Sequence, residues 1–232
     1  MAEILFVRHG QASFGADDYD CLSDLGEHQT DLTGQYLAGS GISLKAIYQG
    51  DLQRQRQTAD AIAANYSWSI PRIVEPGFNE LDTEQQLDCL LPKLIRNHSE
   101  LAALLEGGMR SKKNFQKILK IVFNHWVLDK PEVAGLESWS AFSQRIASSV
   151  QRVMAEQGAS STTLVSTSGG VIAAVVQQVL GVRDEKVYSL FEAVYNASIT
   201  RLIYNSRGDV ALSYFNDCSY LRSRDEGLVS YR

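Results

Sequence analysis

Short apolar runs alternate with amphipathic helical patterns along most of this 232-residue chain, and this alternation constrains the fold more than any other feature. The runs short enough to be strands occupy positions 3–7, 46–48, 72–74 and 162–167. Helical periodicity appears at 23–38, 51–65, 137–157 and 171–180. Two further alternating runs, 198–204 and 210–215, flank a polar turn containing Gly208, which predicts a hairpin. The sequence therefore predicts an α/β fold, a three-layer sandwich with a mainly parallel sheet and an antiparallel edge hairpin.

The segment from about 83 to 130 interrupts this alternation because its apolar residues recur only at helical spacing. We expect one domain over residues 1–232, with a helical cap insertion at about 83–130. The insertion contains a basic stretch made of Arg110, Lys112, Lys113, Lys117 and Lys120. This stretch is either a solvated helix face or a positively charged lid over an anionic substrate, and the sequence leaves both interpretations open.

Several local signals predict where helices begin and end. Ser23, Asp51 and Ser168 each stand at an expected helix start, where a short polar side chain can accept from a free backbone N–H. Gly181 is expected to end the helix at 171–180. The final polar residues, 223–232, are expected to form a loose tail.

Composition excludes several classes of function. A net charge of −5 argues against a nucleic-acid-binding surface, and no apolar run has the length of a membrane span. The N-terminus lacks the features of a signal peptide. The three cysteines are far apart in the sequence and form no CxxC pair. His28, His98 and His125 lack metal-ligand spacing, so these three histidines are expected to be ordinary surface or core residues. We therefore expect a protein of a reducing, cytoplasmic setting without disulfides or a metal site.

The first predicted strand ends in Arg8-His9-Gly10. A neutral imidazole is a nitrogen nucleophile, a guanidinium is a planar donor for phosphate, and a glycine allows a ligand to approach the backbone. Ligand sites of open α/β sheets lie at the carboxyl ends of strands. The alternative is a strand that ends in polar residues because it reaches solvent.

Further polar residues follow the other predicted strands. Arg54 falls in the first turn of the helix after the second strand, and Glu80 follows the third strand as a candidate general acid. Ser168 and Gly169 open the helix after the fourth strand, whose N-terminus can receive an anion. Each of these residues also has an ordinary explanation, as solvated surface or as a helix cap.

The combination resembles the histidine phosphatase superfamily, which includes the cofactor-dependent phosphoglycerate mutases, over nearly the whole chain. The similar segments are 6–13 (FVRHGQAS), 22–26 (LSDLG) followed by Gln29 and Gly34, 52–54 (LQR) followed by Thr58 and Ala59, and 79–80 (NE). The insertion lies where this family has a variable helical region that shapes the substrate site.

The resemblance implies a two-step phosphoryl transfer on a small-molecule phosphate ester. His9 would become phosphohistidine, Arg8 and Arg54 would hold the phosphoryl oxygens, and Glu80 would protonate the leaving oxygen and then activate water. The implied phosphate-binding set is Arg8, Arg54, Gln11, Ser13, Ser168 and Gly169. The resemblance implies no metal and no cofactor.

The chain departs from the family at Ser168, where the family has a second histidine. Serine donates one neutral hydrogen bond but supplies no imidazolium charge, and losing one such donor costs about 3 kcal/mol, or roughly a hundredfold in rate. Three hypotheses follow: a weakened or substrate-restricted phosphatase, a non-catalytic protein that binds phosphoryl ligands, and a phosphomutase. The hairpin also presents an edge strand that can pair with a second subunit to form a homodimer.

Overall fold

The computed structural model describes residues 2–13, 20–96, 99–106 and 112–231. Its strands are β1 (Ala2–Arg8), β2 (Leu44–Gln49), β3 (Arg72–Val74), β4 (Thr162–Thr167), β5 (Ile199–Tyr204) and β6 (Val210–Asp217). Its α-helices are α1 (Asp24–Gly39), α2 (Gln53–Ala63), α3 (Thr83–Ile95), α4 (Ser99–Glu106), α5 (Lys112–Leu128), α6 (Trp139–Gln157), α7 (Gly169–Leu180), α8 (Val187–Ala193) and α9 (Ser219–Arg222). Short 3₁₀ turns occupy Pro76–Phe78, Asp184–Lys186 and Glu226–Leu228.

In the described part of the chain the six strands form one sheet in the order β3-β2-β4-β1-β5-β6. The first four of these strands are mutually parallel. β5 runs antiparallel to β1, and β6 runs antiparallel to β5 at the edge of the sheet. The predicted α/β fold, with a mainly parallel sheet and an antiparallel edge hairpin, is confirmed.

The alternation of side chains along β1 separates two hydrophobic cores, one on each face of the sheet. Ile4 and Phe6 join a cluster with apolar residues of α5, α6, α7 and α8. Leu5 and Val7 join a second cluster with residues of α1, α2 and α9. The sheet is therefore the middle layer of the predicted three-layer sandwich.

The neighbouring strands β1 and β4 send their helices to opposite faces of the sheet. α1 follows β1 and packs in the second core, whereas α7 follows β4 and packs in the first. Such a switch leaves a crevice at the carboxyl ends of the two strands, because no crossover covers it. Arg8 and Thr167, paired in register at the ends of these strands, mark this point.

Two of the predicted helix ends are confirmed. Ser23 is the N-cap of α1, where its hydroxyl accepts from the backbone N–H of Gly26 at 3.1 Å. Gly181 ends α7 in the left-handed conformation, with φ of 62°, and donates its N–H to the carbonyl of Gln177. Glycine adopts this conformation at little cost.

The prediction that Asp51 caps α2 is wrong. The helix begins at Gln53, and the backbone N–H of Gln53 donates at 2.8 Å to the Oδ2 of Asp20, which lies in the loop before α1. The Asp51 carboxylate instead pairs with Arg56 at 3.1 Å. A carboxylate distant in sequence thus satisfies a helix end that a local residue was expected to cap.

Three helices, α3, α4 and α5, occupy the segment predicted to be helical, and their apolar side chains pack in the first core. Lys113, Lys117 and Lys120 are exposed on one side of α5. Arg110, which belongs to the same basic stretch, and His98 lie outside the described residues. No helix among the described residues combines the length and apolar character needed to cross a membrane.

The prediction of a loose C-terminal tail is wrong for its described residues, 223–231. The side-chain amide of the buried Gln29 donates to the carbonyl of Leu228 at 2.8 Å and to the hydroxyl of Ser230 at 2.9 Å. The backbone N–H of Asn196 donates to the Ser230 carbonyl at 2.8 Å. Buried polar groups elsewhere in the chain therefore hold this polar segment in place.

Candidate active site

The His9 side chain has a defined tautomer. Its Nδ1 lies 2.7 Å from the Gly10 carbonyl oxygen, which can only accept, so Nδ1 carries the hydrogen. Its Nε2 lies 3.2 Å from the Nε–H of Arg54 and accepts from it. The imidazole therefore carries its hydrogen on Nδ1 and has an unprotonated Nε2, which is the form that a nitrogen nucleophile requires.

Burial and charge keep this imidazole neutral. Only 6% of His9 is exposed. Burial lowers the pKa of His9 well below its ordinary value of 6.5, and the positive charges of Arg54 and Arg8 lower it further. The ring is thus uncharged at neutral pH.

The backbone around His9 is fixed on several sides. Its N–H donates to the Thr167 carbonyl at 2.8 Å, and the Asn196 amide donates to its carbonyl at 3.3 Å. At Gly10 a Cβ atom would lie 2.4 Å from the carbonyl oxygen of Gly26 in α1. Glycine was expected here to admit a ligand, but in this structure it admits a helix, which sets the position of the loop.

The two predicted phosphate arginines, Arg8 and Arg54, make different contacts. Arg8 is almost buried and donates to the carbonyl of Val194, and its Nε is 3.7 Å from the position of a Cβ at Gly169. Arg54 donates its Nε–H to His9 and pairs through Nη1 with Asp20 at 2.5 Å. Arg54 is therefore oriented from both ends, by the imidazole and by a carboxylate.

Glu80 lies at the N-terminus of α7. Its Oε2 accepts from the backbone N–H of Gly170 at 2.9 Å, and its Oε1 accepts from its neighbour Leu81 at 3.0 Å. A Cβ at Gly170 would be 2.3 Å from Oε1, so a glycine is required for this approach. The helix N-terminus that was expected to receive an anion is thus occupied by the candidate acid itself.

A clamp from α6 holds the loop that carries Glu80. The Nη1 of Arg145 donates to the carbonyls of Gly77 and Asn79 at 2.8 and 2.9 Å. Its other nitrogens bind both oxygens of Glu137 at 2.7 and 3.0 Å. The orientation of Glu80 therefore depends on a residue far from it in sequence.

Ser168 directly precedes Gly169 and Gly170 at the start of α7 and is fully buried. It stands at the N-cap position of α7, but its side chain makes no capping hydrogen bond, so the expectation of ordinary helix capping is wrong. Its Oγ accepts instead from the Nε2 of Gln55 at 2.8 Å. Gln55 is also fully buried.

Gln11 and Ser13, which belong to the implied phosphate-binding set, lie on the loop after His9. The Oε1 of Gln11 accepts from the Ser23 hydroxyl at 3.0 Å, and the Ser13 hydroxyl donates to the Leu22 carbonyl at 3.0 Å. These contacts join the loop to the segment before α1.

The structure brings the predicted catalytic residues to one edge of the sheet. His9 contacts Arg54 directly, Arg8 borders Gly169, and Glu80 binds the backbone of Gly170. Sequence reasoning missed Asp20, Gln55, Asn196 and Arg145. A glutamine beside Arg54 carries no signal of its own, because only the fold shows that it is buried. Among the described residues, no cluster of three or more His, Cys, Asp or Glu side chains could hold a metal ion.

Comparison with known proteins identifies the family of this chain. The family model for the histidine phosphatase superfamily (branch 1) matches residues 4–109 and 104–217, which together cover most of the chain. The chain belongs to this superfamily. A search of curated protein sequences found no match.

Solved structures share the fold at low sequence identity. YhfR of Bacillus stearothermophilus superposes with a TM-score of 0.68 at 17% identity, covering 95% of this chain and 100% of that one. A phosphoserine phosphatase from Entamoeba histolytica, in complex with 3-phosphoglyceric acid, has a TM-score of 0.64 at 18% identity, with 95% and 100% coverage. A phosphoglycerate mutase from Bacillus anthracis has a TM-score of 0.66 at 17% identity, with 97% coverage of both chains.

Proposed function

We propose that this protein hydrolyses small phosphomonoesters through a phosphohistidine intermediate on His9. The observation that carries the proposal is the neutral, buried imidazole whose Nε2 lone pair lies beside the Arg54 guanidinium. A guanidinium at this distance can hold the phosphoryl oxygens while the nitrogen attacks phosphorus. Relatives of the same fold include a phosphoserine phosphatase and a phosphoglycerate mutase, which supports a phosphate ester as the substrate.

In the first step the Nε2 of His9 forms a bond to phosphorus, and the bond from phosphorus to the ester oxygen breaks. Protonated Glu80 gives its proton to that departing oxygen, which leaves as an alcohol. Arg8 and Arg54 neutralise the charge on the three remaining phosphoryl oxygens, with Gly169 beside Arg8 and the loop of Gln11 and Ser13 closing the phosphate site.

In the second step the Glu80 carboxylate takes a proton from water, and the water oxygen attacks phosphorus. The bond between phosphorus and Nε2 breaks, so the electron pair returns to the imidazole and inorganic phosphate leaves. Glu80 ends protonated, ready for the next cycle. The nucleophile, the acid and the phosphate-binding groups of this cycle are all residues of the protein, and water is the second nucleophile.

Ser168 is expected to weaken this reaction, because it offers a neutral hydroxyl where an imidazolium would add charge. The runner-up proposal is a protein that binds a phosphoryl ligand without turnover. Retention of both His9 and Glu80 favours turnover, since binding alone requires neither a nucleophile nor an acid. A phosphomutase would in addition need to retain the phosphorylated product for the return transfer.

The test is hydrolysis of p-nitrophenyl phosphate by the wild type, by His9→Ala and by His28→Ala. His28 is an exposed histidine on α1, so its variant controls for the loss of an imidazole elsewhere. We expect turnover in the wild type and in His28→Ala, with a loss of at least about 10³-fold in His9→Ala. Mass spectrometry of the acid-labile phosphoenzyme should place one phosphoryl group on the His9 peptide.

Two outcomes would count against hydrolysis. Equal turnover in the wild type and His9→Ala would remove His9 from the chemistry. A wild type that is silent with aryl and alkyl phosphates, yet is stabilised against heat by phosphate, would favour the binding function.

We further propose that the chain forms one domain in which the helical segment at about 83–130 is a cap that shapes the leaving-group side of the site. Its exposed lysines on α5 are consistent with either a solvated face or a charged lid. Exchange of Lys113 and Lys117 for glutamine distinguishes these, since only a lid predicts a higher KM for substrates with an anionic leaving group.

Three smaller proposals concern surroundings and partners. The edge strand β6 is available to pair with a second copy, and sedimentation analysis tests the homodimer. The three cysteines, Cys21, Cys89 and Cys218, lie far apart in the sequence and form no CxxC pair, which favours a reducing, cytoplasmic setting. The net charge of −5 disfavours a nucleic-acid partner.

A further inference from the structure

Gln55 and Ser168 form a buried pair whose sequence neighbours, Arg54 and Thr167, hydrogen-bond to His9. Both residues have no exposed surface, and the Gln55 Nε2 donates to the Ser168 Oγ at 2.8 Å. The same Nε2 donates to the Phe78 carbonyl at 3.2 Å. Because that carbonyl can only accept, the NH₂ end of the amide must face both partners. The direction of the Gln55–Ser168 hydrogen bond is therefore fixed.

The other end of the amide has no hydrogen-bond partner among the described residues. The Gln55 Oε1 is buried and lies 2.0 Å from the position of a Cβ at Gly50, so only glycine leaves room for it. An unpaired buried amide oxygen lowers stability. A buried polar atom without a hydrogen-bond partner is expected where a residue contributes to a functional site rather than to the stability of the fold.

The direction of this bond determines what the Ser168 hydroxyl can do. One lone pair of Oγ accepts from Gln55, and the described residues offer no acceptor for the hydroxyl hydrogen. The serine therefore remains a donor. Its chain neighbours contact the site: the Thr167 carbonyl accepts from His9, and Gly169 borders Arg8.

We infer that Gln55 is a positioning residue: it fixes the Ser168 hydroxyl as a hydrogen-bond donor to the phosphoryl group and fills the space that an imidazole at position 168 would need. The inference rests on the proposed function and names two residues that act as one unit. The pair supplies a neutral, oriented donor in place of a charged one.

A purely structural role for Gln55 makes different predictions. In that case Gln55 would act through the Phe78 carbonyl, which also accepts from the Thr167 hydroxyl at 2.7 Å. Thr167→Val removes a hydrogen bond to the same carbonyl but leaves the Ser168 side chain and its hydrogen bond from Gln55 unchanged. It is therefore the matched control for Gln55→Met, which keeps the length of the side chain but removes its donor.

The first experiment is a double-mutant cycle with Gln55→Met, Ser168→Ala and their combination, followed by kcat and KM for p-nitrophenyl phosphate. We expect each single variant to lower kcat by about 10- to 100-fold, and the double variant to be no slower than Ser168→Ala. Because Thr167→Val leaves the Ser168 hydroxyl and its donor in place, Gln55→Met should lower kcat at least about tenfold more than Thr167→Val does. Multiplicative losses in the double variant, or an unchanged kcat in Gln55→Met, would overturn the inference.

The second experiment tests the space that Gln55 fills. Ser168→His alone should lower both the melting temperature and kcat, because the Gln55 amide already lies in contact with the serine oxygen. Gln55→Ala combined with Ser168→His exchanges a large and a small side chain, so it should restore the melting temperature and raise kcat above that of Ser168→His. The restored imidazole should also add an ionisation to the pH profile of kcat/KM. A Ser168→His enzyme that is faster than the wild type and equally stable would contradict the inference.

Failure of the proposed function remains distinguishable from failure of this inference. If the wild type shows no turnover, the proposed function fails, and calorimetric binding of orthovanadate then tests the pair. Weaker binding by both Gln55→Met and Ser168→Ala, with folding verified by circular dichroism, supports the oriented donor. Binding equal to that of the wild type in both variants overturns it.

Discussion

The two ends of the central strands carry similar charged residues but use them differently. At the carboxyl ends, His9, Arg8 and Arg54 converge from two elements in a nearly buried cluster. At the amino ends, a groove of about 650 Å³ is lined by residues that include Glu3, Lys45 and Arg201. The groove is a substantial cavity, yet its charges pair with one another or with backbone: Arg201 binds Glu3, and Lys45 donates to the Gln157 carbonyl.

This contrast indicates that the burial of the charged side chains, rather than cavity size or charge content, separates a reactive cluster from an ordinary one. The side chain of Arg201 is 33% exposed, so water screens its ion pair and leaves it worth little. The side chain of Arg54 is 12% exposed and contacts an almost buried imidazole. Burial lowers the pKa of His9, and the positive charge of Arg54 lowers it further. Five measurements test this contrast.

Among these five measurements Glu80→Gln should produce the largest effect, a loss of about 10²- to 10³-fold in kcat, because the amide cannot give a proton to the leaving oxygen. The loss should be greater for an alkyl phosphate than for p-nitrophenyl phosphate, whose leaving group needs less protonation. Glu84→Gln, an exposed carboxylate on α3, is the control. Equal losses with both substrates would show that Glu80 is not the acid.

Arg54→Lys should lower kcat/KM by about 10²-fold, because lysine cannot bond His9 and Asp20 at once through a planar fork. Arg56→Lys is the matched control. That side chain is 50% exposed, and it pairs with Asp51. Similar losses in the two variants would mean that the contact with His9 is unimportant.

Arg145→Ala should lower kcat by about tenfold and the free energy of unfolding by about 1–2 kcal/mol, because it leaves the carbonyls of Gly77 and Asn79 without this donor. Arg152→Ala removes an exposed partner of Glu75 from the same region and should change kcat little. The comparison requires both kinetics and urea unfolding. A stability loss without a change in kcat would limit Arg145 to a structural role.

The buried imidazole should make part of the stability depend on pH. His9 has its ordinary pKa of about 6.5 in the unfolded chain and a much lower pKa in the folded protein. Below about pH 6.5 the unfolded chain therefore binds a proton that the folded protein does not bind, so stability falls as the pH decreases from 7 to 5. Melting temperatures of His9→Asn should fall less over this range than those of the wild type and of His28→Asn. Parallel curves for all three would contradict the burial effect.

Lys45→Ala, at the opposite end of the strands, should have the smallest effect. The side chain is exposed, so we expect no change in kcat/KM and a change in unfolding free energy within about 0.5 kcal/mol. The same assay used for Arg54→Lys provides the comparison. A tenfold loss of activity here would show that the groove communicates with the carboxyl-end site.

The amino-acid sequence was sufficient to predict the α/β class, the strand that ends in Arg8 and His9, and the helix ends at Ser23 and Gly181. These features depend on residue periodicity and on backbone preferences within a few positions, which a single chain displays directly. The sequence also indicated Arg54 and Glu80 as candidates, because each follows a predicted strand.

The hydrogen bonds that position these residues could not be predicted from local sequence, because they depend on the tertiary structure. Gln55 and Ser168 are 113 residues apart, and Glu80 and Gly170 are 90 apart, so no local pattern relates them. The cap of α2 comes from Asp20 rather than Asp51, and buried Gln29 holds the C-terminal segment. Such contacts follow from the register of β1 against β4 and from helices leaving on opposite faces of the sheet, which are properties of the packed chain and not of any segment of it.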